Sequence, residues 1–210
     1  MKNQNYLNEN KLLYSNMSNI TQKRVNILIP LTNNYKTKLT QSELSRITKI
    51  PQQSLSRYLN SYVREGIIDY KIEGRNKLYY FNFDNILLVK EFILSLEHLK
   101  NIKFYKKHLL IKEVSEKILP LIEGCAIIFG SYAKNLQKKD SDLDIMIIGK
   151  CNEKEIAKFS EIYGIDINLK IYSTYQRDIL MTEVIKNHIV IKNIELFIEM
   201  IFNEKNKLVY

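Results

Sequence analysis

The chain has 210 residues, of which 45% are hydrophobic and 26% charged, and its formal net charge is +9. This balance is typical of a globular protein, and no apolar run reaches the roughly 18–20 residues that a membrane-spanning helix needs. The start is polar and rich in asparagine. It lacks the apolar stretch of a signal peptide, so the sequence favours a cytoplasmic protein.

The positive charge is concentrated in the first 84 residues. They hold 13 Lys and Arg against 6 Asp and Glu, whereas residues 85–210 hold 19 against 17. This asymmetry suggests an anionic partner for the N-terminal part, with double-stranded DNA as the leading candidate. A solvated basic face without a partner is the alternative.

The first elements are predicted from apolar spacing and helix-end signals. Residues 1–20 show no clear period and are interpreted as a polar tail. A helix is predicted from Thr21 to Asn33–Asn34, and a second one after Thr40, because Glu43 stands at capping-box spacing. The residues expected to face a core are Val25, Ile27, Leu28 and Leu31 in the first helix and Leu44 and Ile47 in the second.

A third helix and a hairpin follow. Leu55, Leu59 and Val63 recur at four-residue spacing in a helix predicted over residues 52–65, which Gly66 ends. Residues 67–72 and 78–81 read as two strands joined by a basic turn over residues 73–77.

Three short helices before a basic hairpin resemble a winged helix-turn-helix, here over residues 21–84. The resemblance implies that the third helix enters the major groove and that the hairpin wing contacts the backbone. It assigns base contacts to Gln52, Gln53, Ser54 and Arg57, and phosphate contacts to Lys71, Arg75 and Lys77. A winged helix used for protein contacts or for a homodimer is the alternative.

Residues 85–120 are predicted to be wholly helical and to connect the two halves of the chain. The positions at helical spacing are Ile86, Leu87, Val89, Ile93 and Leu96, then Leu109, Leu110, Val114, Ile118 and Leu119. We expect these helices to cover one face of a final domain at residues 121–210.

That final domain opens with a buried strand that leads into a glycine turn. Residues 125–129 form a continuous apolar run, followed by Gly130-Ser131. A glycine at a strand-to-helix turn lets backbone N–H groups approach a phosphate, and the Ser131 hydroxyl can contact the same phosphate.

Two carboxylates stand at the start of the next apolar run. Asp142 and Asp144 flank Leu143, so the strand period of two places both acids on one face. Paired acids beside a buried strand suggest a cation, and an oxygen-only ligand set suits Mg²⁺ shared with phosphates. In the alternative reading Asp142 caps a turn and Asp144 is simply exposed.

The spacing Gly130-Ser131, ten residues, then Asp142-Leu143-Asp144 resembles the signature of the DNA polymerase β-like nucleotidyltransferase superfamily. The match is to its small prokaryotic branch, the minimal nucleotidyltransferases, over about residues 106–203; Lys134 and Ser141 also match positions of that branch. Where the family has a glycine after the basic residue, this chain has Asn135. Asparagine tolerates positive φ, so we expect the turn to be kept.

The resemblance also implies a third carboxylate on the following strand, for which Asp166 is the only acid within residues 164–171. As implied roles, Asp142 and Asp144 hold Mg²⁺, Gly130 and Ser131 fix the triphosphate, and Lys134 offsets its charge. Asp166 acts as base or metal ligand. A solvated lysine and a solvated edge residue are the alternatives for Lys134 and Asp166.

The predicted fold class is α+β: a winged helix-turn-helix, connecting helices, and a small mixed sheet flanked by helices. The predicted function is Mg²⁺-dependent transfer of a nucleoside monophosphate to an acceptor hydroxyl, with AMP from ATP as the leading candidate. Many members of the resembled branch are antitoxins that modify a HEPN-type toxin, which implies a separate protein acceptor. The alternatives are a transcriptional regulator that only senses nucleotide and a structural interaction module.

Overall fold

The computed structural model describes residues 24–202, so the predicted tail at residues 1–20 and the last eight residues lie outside the described part. The first half of the described chain contains a helical segment at residues 24–26, three further helices and a three-stranded antiparallel sheet of strand order β1-β3-β2. These elements are α1 (Ile29–Thr32), β1 (Leu39–Thr40), α2 (Gln41–Thr48), α3 (Gln52–Arg64), β2 (Ile68–Glu73) and β3 (Asn76–Phe81). This is the arrangement of the predicted winged helix-turn-helix.

The capping box before α2 is confirmed. The Glu43 backbone N–H donates to Thr40 Oγ1 at 3.2 Å, and Thr40 N–H donates to Glu43 Oε2 at 2.8 Å. Leu44 is buried as predicted, but Ile47 is 50% exposed. Leu44 is the buried residue of this two-turn helix, and Ile47 lies at its surface.

Two further predicted bounds were wrong, those of the first helix and of the wing turn. The first predicted helix is interrupted: residues 24–26 and α1 are helical, with a turn at residues 27–28 between them, because Pro30 has no N–H for the helical hydrogen bond to residue 26. In α3, Leu55 and Leu59 are fully buried and Val63 packs half-buried against the same core, as predicted, and Tyr62 is a further buried position. The wing turn is tighter than predicted, because Glu73 pairs with Asn76 around Gly74-Arg75.

The connecting segment is helical, as predicted. It consists of α4 (Ile86–Lys107) and α5 (Leu109–Ile118). Val89, Ile93, Leu96, Val114 and Ile118 are buried. Not every residue at helical spacing is buried: Leu87, Leu109 and Leu110 are exposed at the starts of the two helices.

The C-terminal half contains a mixed four-stranded sheet of order β6-β5-β4-β7, in which only β5 and β6 run parallel. Cys125, Ile127 and Met146 face a core shared with the winged helix, and Ile128 and Ile145 face a second core. The elements are β4 (Ile122–Ile128), α6 (Gly130–Ala133), β5 (Leu143–Cys151), α7 (Glu153–Tyr163), β6 (Ile167–Tyr172), α8 (Ile179–Lys186), β7 (Ile189–Lys192) and α9 (Ile194–Phe202).

A buried polar cluster joins the two halves. Tyr35 Oη donates to Glu97 Oε1 at 2.9 Å and lies 3.0 Å from His188 Nε2, and Lys100 Nζ donates to Glu97 Oε1 at 2.9 Å. His188 Nδ1 lies 2.9 Å from the Ile185 carbonyl oxygen, which fits a neutral ring that donates from Nδ1. Burial alone would raise the pKa of Glu97, but the neighbouring Lys100 charge and hydrogen bonds hold it at about 2. The cluster therefore contains a buried ion pair between Glu97 and Lys100.

Within residues 24–202, no helix combines the length and the apolarity required to cross a membrane.

Candidate active site

The glycine turn lies against the second predicted aspartate. Phe129 is extended after β4 and donates its N–H to the Asp144 carbonyl oxygen at 3.0 Å, and Gly130 follows with φ +68°. A Cβ at Gly130 would overlap Asp144 Oδ2 and lie 3.0 Å from Asp144 Cγ. Both the backbone conformation and the available space therefore require glycine here.

The two aspartates stand on one side of the sheet, as the period of two predicts. Asp142 directly precedes β5 and is exposed, Leu143 is fully buried, and Asp144 is half-buried. Leu143 N–H donates to the Asp166 carbonyl oxygen at 2.7 Å, which fixes the start of β5 beside the start of β6. Asp144 is on the face of Met146, toward α8 and the winged helix.

An amide from the neighbouring strand connects the two carboxylates. Asn168 is paired with Asp144 in the parallel register, and its Nδ2 donates to Asp142 Oδ2 at 3.0 Å and to Asp144 Oδ1 at 3.5 Å. No role was assigned to Asn168 from the sequence. The available signal was its position two residues after Asp166.

The electrostatics of the pair favour a bound cation. Partial burial raises the pKa of Asp144, and the Asp142 charge raises it further, while the Asn168 hydrogen bond and the Lys170 charge act in the opposite direction. Lys170 is two residues after Asn168 in β6, so it lies on the same face. A cation between the carboxylates would remove the repulsion that raises the pKa of Asp144.

The donor set fits Mg²⁺ held jointly with phosphates. In the part of the chain that the structure describes, no three His, Cys, Asp or Glu side chains come together as a metal cage. Two hard carboxylate ligands are what Mg²⁺ takes from a protein when phosphates and waters complete its shell.

The other residues predicted for the site lie in α6, at its end, and just before β6. Asp166 is exposed immediately before β6, on the Asn168 side, and only its carbonyl has a contact that ties it to β5. Ser131 is half-buried in α6. Lys134 is exposed at the end of α6, and its charge helps to lower the pKa of Glu183 in α8, after the larger effect of Lys186.

Asn135 adopts the conformation that was expected in place of the family's glycine. Its φ is +59°, and its side-chain oxygen accepts a hydrogen bond from Lys107 Nζ at the end of α4. The connecting helix therefore supports the turn that follows α6.

The residues assigned to DNA contact lie on exposed surfaces of α3 and the hairpin. Gln52, Gln53, Ser54 and Arg57 are all exposed along the N-terminal part of α3. In the wing, Arg75 is exposed at the two-residue turn, Lys71 pairs with Glu73, and Lys77 lies 4.0 Å from the centre of the Tyr70 ring. Of the three wing cations, Arg75 is therefore the best placed to meet a phosphate.

Comparison with known proteins identifies the C-terminal half. Residues 107–208 match the family model described as a nucleotidyltransferase domain. No curated protein matches the chain. Among solved structures, the chain is similar to one described as a predicted DNA-binding transcriptional regulator from E. coli, with 26% identity over 48% of this chain and 96% of that one. The TM-score is 0.32, too low to carry an argument about function.

Proposed function

We propose that the domain at residues 107–208, which matches the nucleotidyltransferase family model, transfers AMP from Mg²⁺-bound ATP to an acceptor hydroxyl at the Gly130–Asp144 site. The observation that carries the proposal is the contact between Gly130 and Asp144, with Asn168 bridging Asp144 to Asp142. One compact arrangement thus brings a backbone turn suited to phosphate next to two carboxylates suited to the cation that accompanies it.

Asp142 and Asp144 would hold the Mg²⁺, which supplies charge neutralisation of the triphosphate when it is bound. Asn168 orients both carboxylates, because a single amide group donates to each of them. The positive φ of Gly130 and the absence of a side chain leave room for the backbone to approach the phosphates. The Ser131 hydroxyl and the Lys134 and Lys170 ammonium groups would contact or offset the phosphate oxygens.

The transfer itself is an in-line displacement. The acceptor oxygen attacks the α-phosphorus, the bond from that phosphorus to the bridging oxygen breaks, and pyrophosphate leaves with the electron pair. The acceptor proton goes to a nearby base, for which we propose Asp166. Its side chain is exposed directly before β6, which supports that role because an acceptor hydroxyl approaches from solvent.

We further propose that the acceptor is a hydroxyl on a separate protein and that the winged helix binds double-stranded DNA. Resemblance to the minimal nucleotidyltransferases supports a HEPN-type toxin as that protein. The exposed polar face of α3 and the excess of positive charge in residues 1–84 support DNA binding.

The second candidate is a DNA-binding regulator in which the nucleotidyltransferase half only senses nucleotide. It is favoured by one observation: the winged helix and one face of the C-terminal sheet share a single core, to which the buried Tyr35–Glu97–Lys100–His188 cluster is added. A ligand in one half could therefore shift the position of the other.

The two candidates differ in whether a covalent product forms. We would incubate the protein with ATP labelled at the α-phosphate, Mg²⁺ and cell extract, beside the Asp142→Asn/Asp144→Asn variant. Transfer predicts a labelled macromolecule with the natural chain and none with the variant. If neither labels anything while the natural chain binds ATP and its DNA affinity changes with ATP, the sensor is the correct function.

A further inference from the structure

A cleft of about 200 Å³ lies at the seam between the winged helix and the nucleotidyltransferase domain. One wall comes from the loop after α1 and includes Tyr35 and Lys36. The other comes from α8 and the segment before it and includes Tyr175, Arg177 and Lys186. We call this feature the seam cleft. None of the residues lining it belongs to the Gly130, Asp142, Asp144 and Asn168 group.

The polar side of the seam cleft is basic. Lys36, Arg177 and Lys186 are all exposed side chains and reach it from two different domains. Lys36 and Arg177 both line the cleft, where desolvation and the Arg177 charge lower the pKa of Lys36. Lys186 is paired with Glu183 in the next turn back along α8.

The apolar side offers a surface for a ring. Ile185, Ile201 and the half-buried Tyr175 line the cleft together with the cations. The volume is below the roughly 300–1,000 Å³ of a drug-sized pocket, so it suits a small ligand that remains partly in solvent. An inorganic anion would leave the apolar wall without contacts.

We propose that the seam cleft binds a phosphate-bearing ligand and that a nucleoside monophosphate or diphosphate is the class that satisfies both walls. The phosphate lies between Lys36 and Arg177, where Arg presents two donors in a planar fork and Lys adds a point charge. The base lies against Tyr175 and the isoleucines, because a flat ring gains contact area there. The ligand contacts both domains, so its binding requires residues of both.

The test uses the full chain carrying Asp142→Asn and Asp144→Asn, so that the catalytic carboxylates do not contribute. Binding of AMP, ADP, inorganic phosphate, pyrophosphate and adenosine is measured by calorimetry without Mg²⁺. The test variant adds Lys36→Ala and Arg177→Ala. The matched control instead adds Lys139→Ala and Lys158→Ala, which remove two exposed lysines outside the cleft.

We expect AMP and ADP to bind the double-Asn chain and its lysine control equally. Affinity should fall about tenfold or more in the Lys36/Arg177 variant, because at least one charge-assisted hydrogen bond is lost. Adenosine lacks the phosphate, so its affinity for the double-Asn chain should be no higher than the affinity of AMP for the Lys36/Arg177 variant. Unchanged AMP affinity in that variant overturns the site, and so does AMP binding that already disappears with the two aspartates. Inorganic phosphate or pyrophosphate binding as tightly as AMP overturns the nucleotide assignment. Binding here with no transfer activity in the natural chain rejects only the proposed reaction.

Discussion

Replacing Gly130 by alanine should separate activity from stability. Two costs follow from the structure. The backbone holds φ at +68°, which costs an L-residue roughly 1–2 kcal/mol, and the new Cβ would overlap the Asp144 carboxylate. The overlap is with the end of a side chain, so Asp144 can rotate away and the fold survives. That rotation takes Asp144 off Asn168 and away from Asp142, and we expect transfer to fall by about a hundredfold or more.

The chain provides a matched control in Gly164→Ala. Gly164 ends α7 with φ +62°, and a Cβ there meets no atom within 4 Å. Both variants should lose about 1–2 kcal/mol of unfolding free energy in urea titrations, since they share the same backbone strain. Only Gly130→Ala should lose two activities: labelling of a macromolecule from ATP, and Mg²⁺-dependent binding of ATP. Equal activity of the two variants would refute the view that the Gly130–Asp144 contact organises the site.

Three other substitutions test separate parts of the account. Asn168→Ala removes the hydrogen bond that lowers the pKa of Asp144, so the acidic limb of the pH–activity profile should move to higher pH; an unmoved limb would contradict the bridging role. Arg75→Ala should weaken DNA binding in a gel shift and reduce the slope of log affinity against log salt by about one, and an unchanged slope would remove Arg75 from the DNA interface. Glu97→Gln leaves Lys100 buried without its counter-charge and should cost about 3–5 kcal/mol in urea unfolding at neutral pH. The pKa of Glu97 is lowered to about 2 in the fold, so the carboxylate stabilises the fold above its ordinary pKa of 4.5. That stabilisation is lost as pH falls from 4.5 toward 2, and the difference in unfolding free energy between Glu97→Gln and the natural chain should shrink in that range.

The parts of the site that follow from local pattern could be predicted from the sequence. Alternation placed Asp142 and Asp144 on one face, and the strand–glycine–helix order predicted the Gly130 turn. The tolerance of asparagine for positive φ predicted Asn135, which has φ +59°. Each of these depends on residues within a few positions of one another.

The parts that depend on strand pairing or domain contact could not be predicted in this way. Asn168 gained its role only when the parallel register set it beside Asp144. The place of His188 in the buried cluster depends on Tyr35 and Glu97, which are 153 and 91 residues away in sequence. Leu87 and Leu109 have helical spacing but are exposed, since no element within residues 24–202 covers them. Periodicity shows which face is apolar, whereas burial depends on which element packs there.

The proposed reaction cleaves ATP between the α- and β-phosphates and transfers AMP to an acceptor hydroxyl. Its most direct test is to run parallel reactions with ATP labelled at the α-phosphate and at the γ-phosphate, with Mg²⁺ and cell extract. Nucleotidyl transfer predicts the α-label on a macromolecule and the γ-label in pyrophosphate, with both signals absent in Asp142→Asn/Asp144→Asn. A γ-label on the macromolecule, or an α-label that persists in the double variant, would contradict the account.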